Sequence, residues 1–440
     1  MGGRGFAFLL FLCGCVGDDS TIVDGGNDAT SFDAPADVGK DAPADAAPEA
    51  EAGPPGIFVS SSTGDDTNPG TLAKPFKTIK HAFTVAKSGD SIALLPGVFG
   101  AASGDDFSTP IPDGVALAAQ GLGGDGGVDV TLQGGGSSLA FAGSGALSNV
   151  TLTGFSVAAI VATTGTQTLT NVSATGIAVV SISNAAHLTY TGGTIAGGAV
   201  AVACKDNTVL VASNLTLTGV TNNNFSITGS CNATVSNSTI NTSGTGFNAS
   251  GTPTVTIDTV NVDKGLAVSA SGGSMTIKNG SFTNSASDAI SPGAVTLDIT
   301  GLTITGCGRL GIETATATIT ATNMTITGCA LGGIYSQSSL KLRGCTIKNN
   351  PGAGVYGLGS ISWDLGTGGT PGNNIFQNNT ANVDITYVSN QTVNAVGNTW
   401  NASVQGADSS GHYGSGVLSG FSQSGTNFKT SANAQLRLGP

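Results

Sequence analysis

Acidic side chains are scarce in this chain, so each pair of them invites a chemical reading. Asp65 and Asp66 stand in the turn-rich stretch TGDDTNPG, Asp105 and Asp106 in a second loop, and Asp125 and Asp129 in a Gly-rich third. A carboxylate cluster can hold calcium, and a neighbouring Arg or Lys can then abstract a proton beside a uronate. Adjacent strand residues point to opposite faces, so such a pair shares one ion only inside a bent loop. The first loop therefore reads two ways. It is a calcium site of Asp65, Asp66 and Asn68, or an Asx-type turn, the commoner use of these residues. No other cofactor is expected.

Hydrolysis of a glycosidic bond needs two carboxylates facing one groove. Later acids are isolated: Asp258, Asp263, Asp288, Asp298, Glu313 and Asp364. Asp263 and Asp288, near Lys264 and Lys278, are the candidate pair, against the plainer reading of isolated solvated charges. Glu313, Tyr335 and Tyr356 share one offset in three consecutive repeats, outward if Ile312, Ile334 and Val355 face inward. Stacked tyrosines form a sugar-binding platform through their ring faces, or simply pack as a cross-strand pair. His81, His187 and His412 are too scattered for a Ser-His-Asp arrangement, and no catalytic residue is assigned.

The elements that must position these groups come from a recurring phrase. NMTITGC at 323–329 repeats GLTITGC at 301–307, with NLTLTG and NVTLTG further back. Its first position falls at Asn149, Asn171, Gly192, Asn214, Asn237, Thr259, Asn279, Gly301, Asn323 and Gly344, at intervals of 20 to 23 residues. Such regular spacing marks a solenoid. The second position (Val150, Val172, Leu215, Met324) and the fourth (Leu152, Ile195, Phe282, Ile347) are mostly apolar and alternate with hydroxyls, the period-2 mark of a strand with one buried face. A second strand follows in each unit, as in GIAVVSI, GGIYSQ and AGVYGL. Units of about 22 residues with short strands and no helix predict a parallel β-helix. Asn or Gly at the head is turn chemistry, because both tolerate left-handed backbone. Ahead of the repeats, Ile79, Phe83 and Ala86 recur at helical spacing and predict one helix capping the open end.

Composition agrees. Charged residues are 10%, aromatics 5%, and 68 residues are Gly, which excludes a solvated helical bundle. The net charge of −12 is concentrated: residues 16–56 hold ten acids and one Lys, leaving 17 acids and 13 bases, counting the Arg of the leader apart, in a nearly neutral body. No basic patch speaks for nucleic acid. The stretch 16–56, rich in Asp, Ala and Pro, predicts a disordered tether. Before it, MGGRGFAFLLFLCGC has Arg4, a short apolar run and the tetrad Leu12-Cys13-Gly14-Cys15. The run is too short to span a bilayer and reads as an export signal, residues 1–15. The tetrad resembles the lipobox of bacterial lipoproteins. That resemblance implies lipidation of Cys15 and a membrane anchor at the outer membrane or cell surface. The five remaining cysteines, Cys204, Cys231, Cys307, Cys329 and Cys345, have no metal spacing. Cys307 and Cys329 share an offset on adjacent repeats, predicting a disulfide or a stacked thiol pair; Cys345 falls in a buried column.

The opening segment also carries a resemblance. Gly64-Asp65-Asp66, Asn68-Pro69-Gly70-Thr71, Pro75-Phe76-Lys77-Thr78-Ile79, Gly89-Asp90 and Leu95-Pro96-Gly97, with PGNNIFQNNTANVDI and NAVGNTW later, resemble the bacterial surface β-helix proteins of domain-of-unknown-function family 1565. The resemblance covers most of residues 57–405. It implies an all-β, right-handed parallel β-helix of the pectate-lyase-like superfamily, and no agreed activity. The expected layout is a cap and first rungs over 57–148, regular rungs over 149–359, and C-terminal rungs and tail over 360–440. The expected function is surface contact with polysaccharide or cell-surface glycan, with a polysaccharide lyase or glycoside hydrolase as the alternative. A Thr-rich outward column also resembles the ladders of ice-binding proteins, but Asp263 and Lys348 interrupt it and Thr is an ordinary exposed strand residue.

Overall fold

The recurring phrase folds as a three-residue strand between two left-handed corners. In the computed structural model all ten phrase heads have positive φ, from +47° at Asn237 to +71° at Gly192. The residue after the strand repeats the conformation, as at Gly176 (+87°), Lys264 (+68°), Gly328 (+71°) and Asn349 (+56°). Side chains at and beside the heads stack from rung to rung. Asn171 Nδ2 donates to Asn149 Oδ1 at 3.1 Å, and Asn279 Nδ2 to Asp258 Oδ1 at 3.0 Å. At Gly344 the stack is tighter, since a Cβ there would lie 2.5 Å from Asn323 Oδ1.

The structure describes residues 56–120, 129–155, 158–176, 180–388 and 391–400, with the backbone of strands Val417–Ser419, Phe428–Thr430 and Ala434–Arg437. Among them the strands form three sheets of 17, 13 and 13 strands. The phrase strands make the second sheet and the GIAVVSI-type strands the third. Strands such as Thr166–Thr170, which the sequence reading did not separate, make up the first. Pairing between these strands is parallel apart from Val417–Ser419 against Ala434–Arg437. This is a parallel β-helix. The stretch 1–15 read as an export signal, with Cys13 and Cys15, the acidic stretch before Gly56, Asp125 and His412 lie outside the described residues. Among the described residues no helix is long and apolar enough to cross a membrane.

Apart from the half-buried Gly193 and Gly280, the inward columns are buried, from Val150 and Leu152 to Cys345 and Ile347. Phe225 and Phe247 stack inside the coil with centroids 5.0 Å apart and planes 5° apart. Tyr190 is accommodated because its hydroxyl donates to the Val172 carbonyl at 2.6 Å, and burial pushes its phenol pKa up. The capping helix is Ile79–Val85, with Thr78 as N-cap accepting from the His81 amide. Ile79, Ala82 and Phe83 are its buried face.

Of the two alternatives for Cys307 and Cys329 the structure has the thiol pair, and it adds a bridge that the sequence did not single out. Cys204 and Cys231 form a disulfide, while Cys307, Cys329 and Cys345 are buried free thiols. Cys307 and Cys329 do lie together, sharing a hydrogen bond, and that contact with burial raises the Cys307 thiol pKa.

Thr259 is the exception among the corner heads, a β-branched residue at φ +56°. Left-handed backbone costs such a residue about 1–2 kcal/mol, and Asn less. Thr259→Asn should therefore raise stability by about 1 kcal/mol, read as a higher urea midpoint at unchanged slope. A lower midpoint would mean that this corner is unstrained.

Candidate functional site

On the third sheet the burial pattern shows which residues face out. Ile312, Ile334, Val355 and Val383 are buried. Their neighbours pair rung to rung as Glu313 with Tyr335, Tyr335 with Tyr356, and Tyr356 with Asp384. The outward column thus reads carboxylate, tyrosine, tyrosine, carboxylate. The two rings stack with centroids 5.3 Å apart and planes 23° apart, close to the rung spacing itself. Gln337 Nε2 donates to the Tyr335 hydroxyl and orients it. The column lines an open groove of about 440 Å3, together with Leu310 and Ala353 at the start of the same strands and Leu331 just before the strand Gly332–Ser336. Leu331 is 57% exposed, an unusual position for a leucine in a chain with so complete a core.

Behind Glu313 lies a buried acid. Asp288 Oδ1 accepts from the Leu310 amide at 3.0 Å, and its Oδ2 lies 3.3 Å from Arg309 Nη1. Arg309 Nη2 meets Glu313 Oε2 at 3.0 Å, so one guanidinium bridges two carboxylates. Burial raises the Glu313 pKa above its ordinary 4.5, reinforced by a hydrogen bond to Asp288 and by its charge, and Arg309 only partly offsets this. Burial likewise raises the Tyr356 phenol, helped by the charge of Asp384.

A raised carboxyl binds its proton more tightly in the folded chain than in the unfolded one. Its contribution to stability is complete below pH 4.5 and is lost as pH rises through the raised value. Glu313→Gln should remove that decline. Urea midpoints of wild type and variant should separate as pH climbs from 4.5 towards neutrality, the wild type falling further. Parallel curves would show that Glu313 does not titrate there.

The other sequence candidates sit elsewhere. Asp65 Oδ1 accepts from the Thr67 amide at 2.9 Å and its hydroxyl at 2.8 Å, closing an Asx turn. Asp66 accepts from the Lys77 and Thr78 amides, and Asn68 donates to the Pro75 carbonyl at 3.0 Å. These groups brace the loop against the helix cap. Among the described residues no group of three His, Cys, Asp or Glu side chains is placed to hold a metal. Asp105 is buried and accepts from the Lys80 amide, while Asp106 pairs with Lys80 Nζ at 3.0 Å. Asp263 and Asp288 have separate partners: Asp263 takes Thr283 and Asn284, and Asp288 takes Arg309. Asp288 is thus neither half of a pair with Asp263 nor a solvated charge. Its carboxylate is buried because a guanidinium on the next rung accompanies it. Arg309, Leu331 and Asp384 were not singled out by sequence reasoning.

A repeating coil of three parallel sheets defines the class as the parallel β-helix. The family model described as "Protein of unknown function (DUF1565)" matches residues 62–261 and 254–405, and the chain belongs to that family. No curated protein matches its sequence. Among solved structures, the A-module of the Azotobacter vinelandii mannuronan C-5 epimerase AlgE4 is 14% identical, with a TM-score of 0.40, over 75% of this chain and 99% of that one. The catalytic unit of the GH87 alpha-1,3-glucanase from Streptomyces thermodiastaticus strain HF3-3 is 14% identical, TM-score 0.37, over 88% and 70%. Pectate lyase Pel9A is 12% identical, TM-score 0.32, over 70% and 76%. At such values these likenesses say nothing about what this chain does.

Proposed function

We propose that this protein is an envelope-anchored glycan-binding β-helix whose contact site is the Tyr335–Tyr356 groove. The stacked tyrosine pair, open on one side and flanked by Glu313 and Asp384, carries the reading. Ring faces take up the C–H surface of a pyranose, and carboxylates accept hydrogen bonds from its hydroxyls. The acidic stretch after residue 15 would hold the coil away from the membrane. Lipidation at Cys15 supplies the anchor in this reading; Cys15→Ser should move the protein from the membrane to the soluble fraction, and unchanged membrane association would refute the anchor.

The raised Glu313 pKa favours a second reading, glycoside hydrolysis. Hydrolases place their two carboxyl groups about 5–10 Å apart across the scissile bond. Here Asp288 and Glu313 share one guanidinium on the same side of the groove. Asp384 is three rungs from Glu313, about 14 Å at a rung spacing of about 4.8 Å. Neither spacing suits the reaction, so binding is the better account. The full chain, extracted in detergent, should be retained on immobilised polysaccharide without new product ends appearing. Product ends that vanish in Glu313→Gln would replace binding with hydrolysis.

A further inference from the structure

A third tyrosine stands beyond the groove. Tyr387 is 64% exposed and follows Asp384, which lines the groove's far end. Its outward position breaks the local pattern. Ile385, two residues earlier, is fully buried, so plain alternation along the strand Ala381–Val388 would bury Tyr387 as well. A register shift reverses this. Tyr356 pairs with Asp384 and Leu358 with Tyr387, two steps on one strand against three on the next. The extra residue is a β-bulge, a device that re-aims side chains beside functional sites. Here it sets Tyr387 opposite Leu358, itself half-buried on the outer face. Tyr387 thus stands one rung on from Tyr356 and two strand positions along, roughly 8 Å away between Cα atoms. Burial and Asp384 raise the Tyr356 phenol, and Tyr335 and Tyr387 raise it further, so a tyrosine lies within electrostatic reach on either side.

We infer that Tyr387 is a further contact for the glycan, and that the ligand is a run of several sugars longer than the Tyr335–Tyr356 platform. This rests on the glycan-binding reading above and goes further by giving the ligand a length and a direction. Tyr335 and Tyr356 stack at 5.3 Å and together offer one platform. Tyr387 is offset from it along the strands as well as along the coil, so a chain touching all three crosses the sheet diagonally. Left bare, the Tyr387 ring and Leu358 keep apolar surface in water. A sugar chain covers both with its C–H faces.

The test measures retention of the full chain, in detergent, on immobilised neutral glucan, chitosan, alginate and polygalacturonate, and its release by fragments of two, four and six units of each polymer. Wild type is compared with Tyr387→Ala, Tyr387→Phe and Tyr335→Ala/Tyr356→Ala, each checked for an unchanged circular dichroism spectrum. Six-unit fragments should compete at least tenfold better than two-unit fragments. Tyr387→Ala should weaken the six-unit fragment about 3- to 10-fold and leave the two-unit fragment within about twofold of wild type. Tyr387→Phe, which keeps the ring, should match wild type. A six-unit fragment unaffected by Tyr387→Ala but weakened by Tyr335→Ala/Tyr356→Ala would overturn the third contact and leave the groove as the site. Equal weakening of the shortest and longest fragments by Tyr387→Ala would overturn it too, because the ring would then only shape the groove. Retention on none of the polymers, or retention indifferent to Tyr335→Ala/Tyr356→Ala, would overturn the groove reading itself.

Discussion

Phe247→Ala should destabilise the coil by about 3–5 kcal/mol, the usual range for emptying a buried phenylalanine site. Phe247 is fully buried and stacks on Phe225 of the preceding rung at 5.0 Å. A solenoid gives such a cavity little chance to close, because the main-chain ladder fixes the distance between rungs. Each rung also touches only its neighbours, so the loss should appear as a weak point in the middle of the stack. Urea unfolding should show a lower midpoint or a transition split in two. Phe247→Leu keeps most of the volume and should cost less than about 1.5 kcal/mol. Equal losses for both substitutions would mean that the ring stack, and not the filled volume, supports the core at this level.

Removing both tyrosines should weaken glycan retention about 10- to 100-fold. Each ring contributes about 0.5–1.5 kcal/mol beyond the area it covers, and about 1.4 kcal/mol is a tenfold change in affinity. Both side chains lie on the outer face of a ladder whose inner residues, Ile334 and Val355, stay buried. Tyr335→Ala/Tyr356→Ala should therefore unfold at nearly the wild-type denaturant concentration. Loss of retention with stability preserved places the rings in the contact. Preserved retention would assign them to packing alone.

Much of this architecture was legible because the chemistry repeats. The phrase NMTITGC is a strand bracketed by two left-handed corners at Asn323 and Gly328, and every phrase head adopts that conformation. The Glu313, Tyr335, Tyr356 column was legible because equal offsets in successive rungs become neighbours when rungs stack. Asp384 escaped because the loop between the strands Ser362–Asp364 and Ile375–Gln377 lengthens that turn, so counting by 22 residues misses it. Arg309 escaped because its first partner, Asp288, belongs to a corner of the preceding rung. The Cys204–Cys231 bridge was hidden for a related reason. Its separation of 27 residues joins different offsets, whereas equal offsets favoured Cys307 and Cys329. Asp65 and Asp66 show the limit of local reading, since two adjacent acids serve a turn and a helix cap as readily as a metal.

Whether a sugar lies against the tyrosines of the third sheet is read from the position of a neutral oligosaccharide in crystals of the protein soaked with it. A pyranose ring over Tyr335 and Tyr356, with hydroxyls donating to Glu313 or Asp384, is the predicted result. A sugar seated instead on the Thr-rich face of the second sheet, with the groove filled only by water, would contradict it.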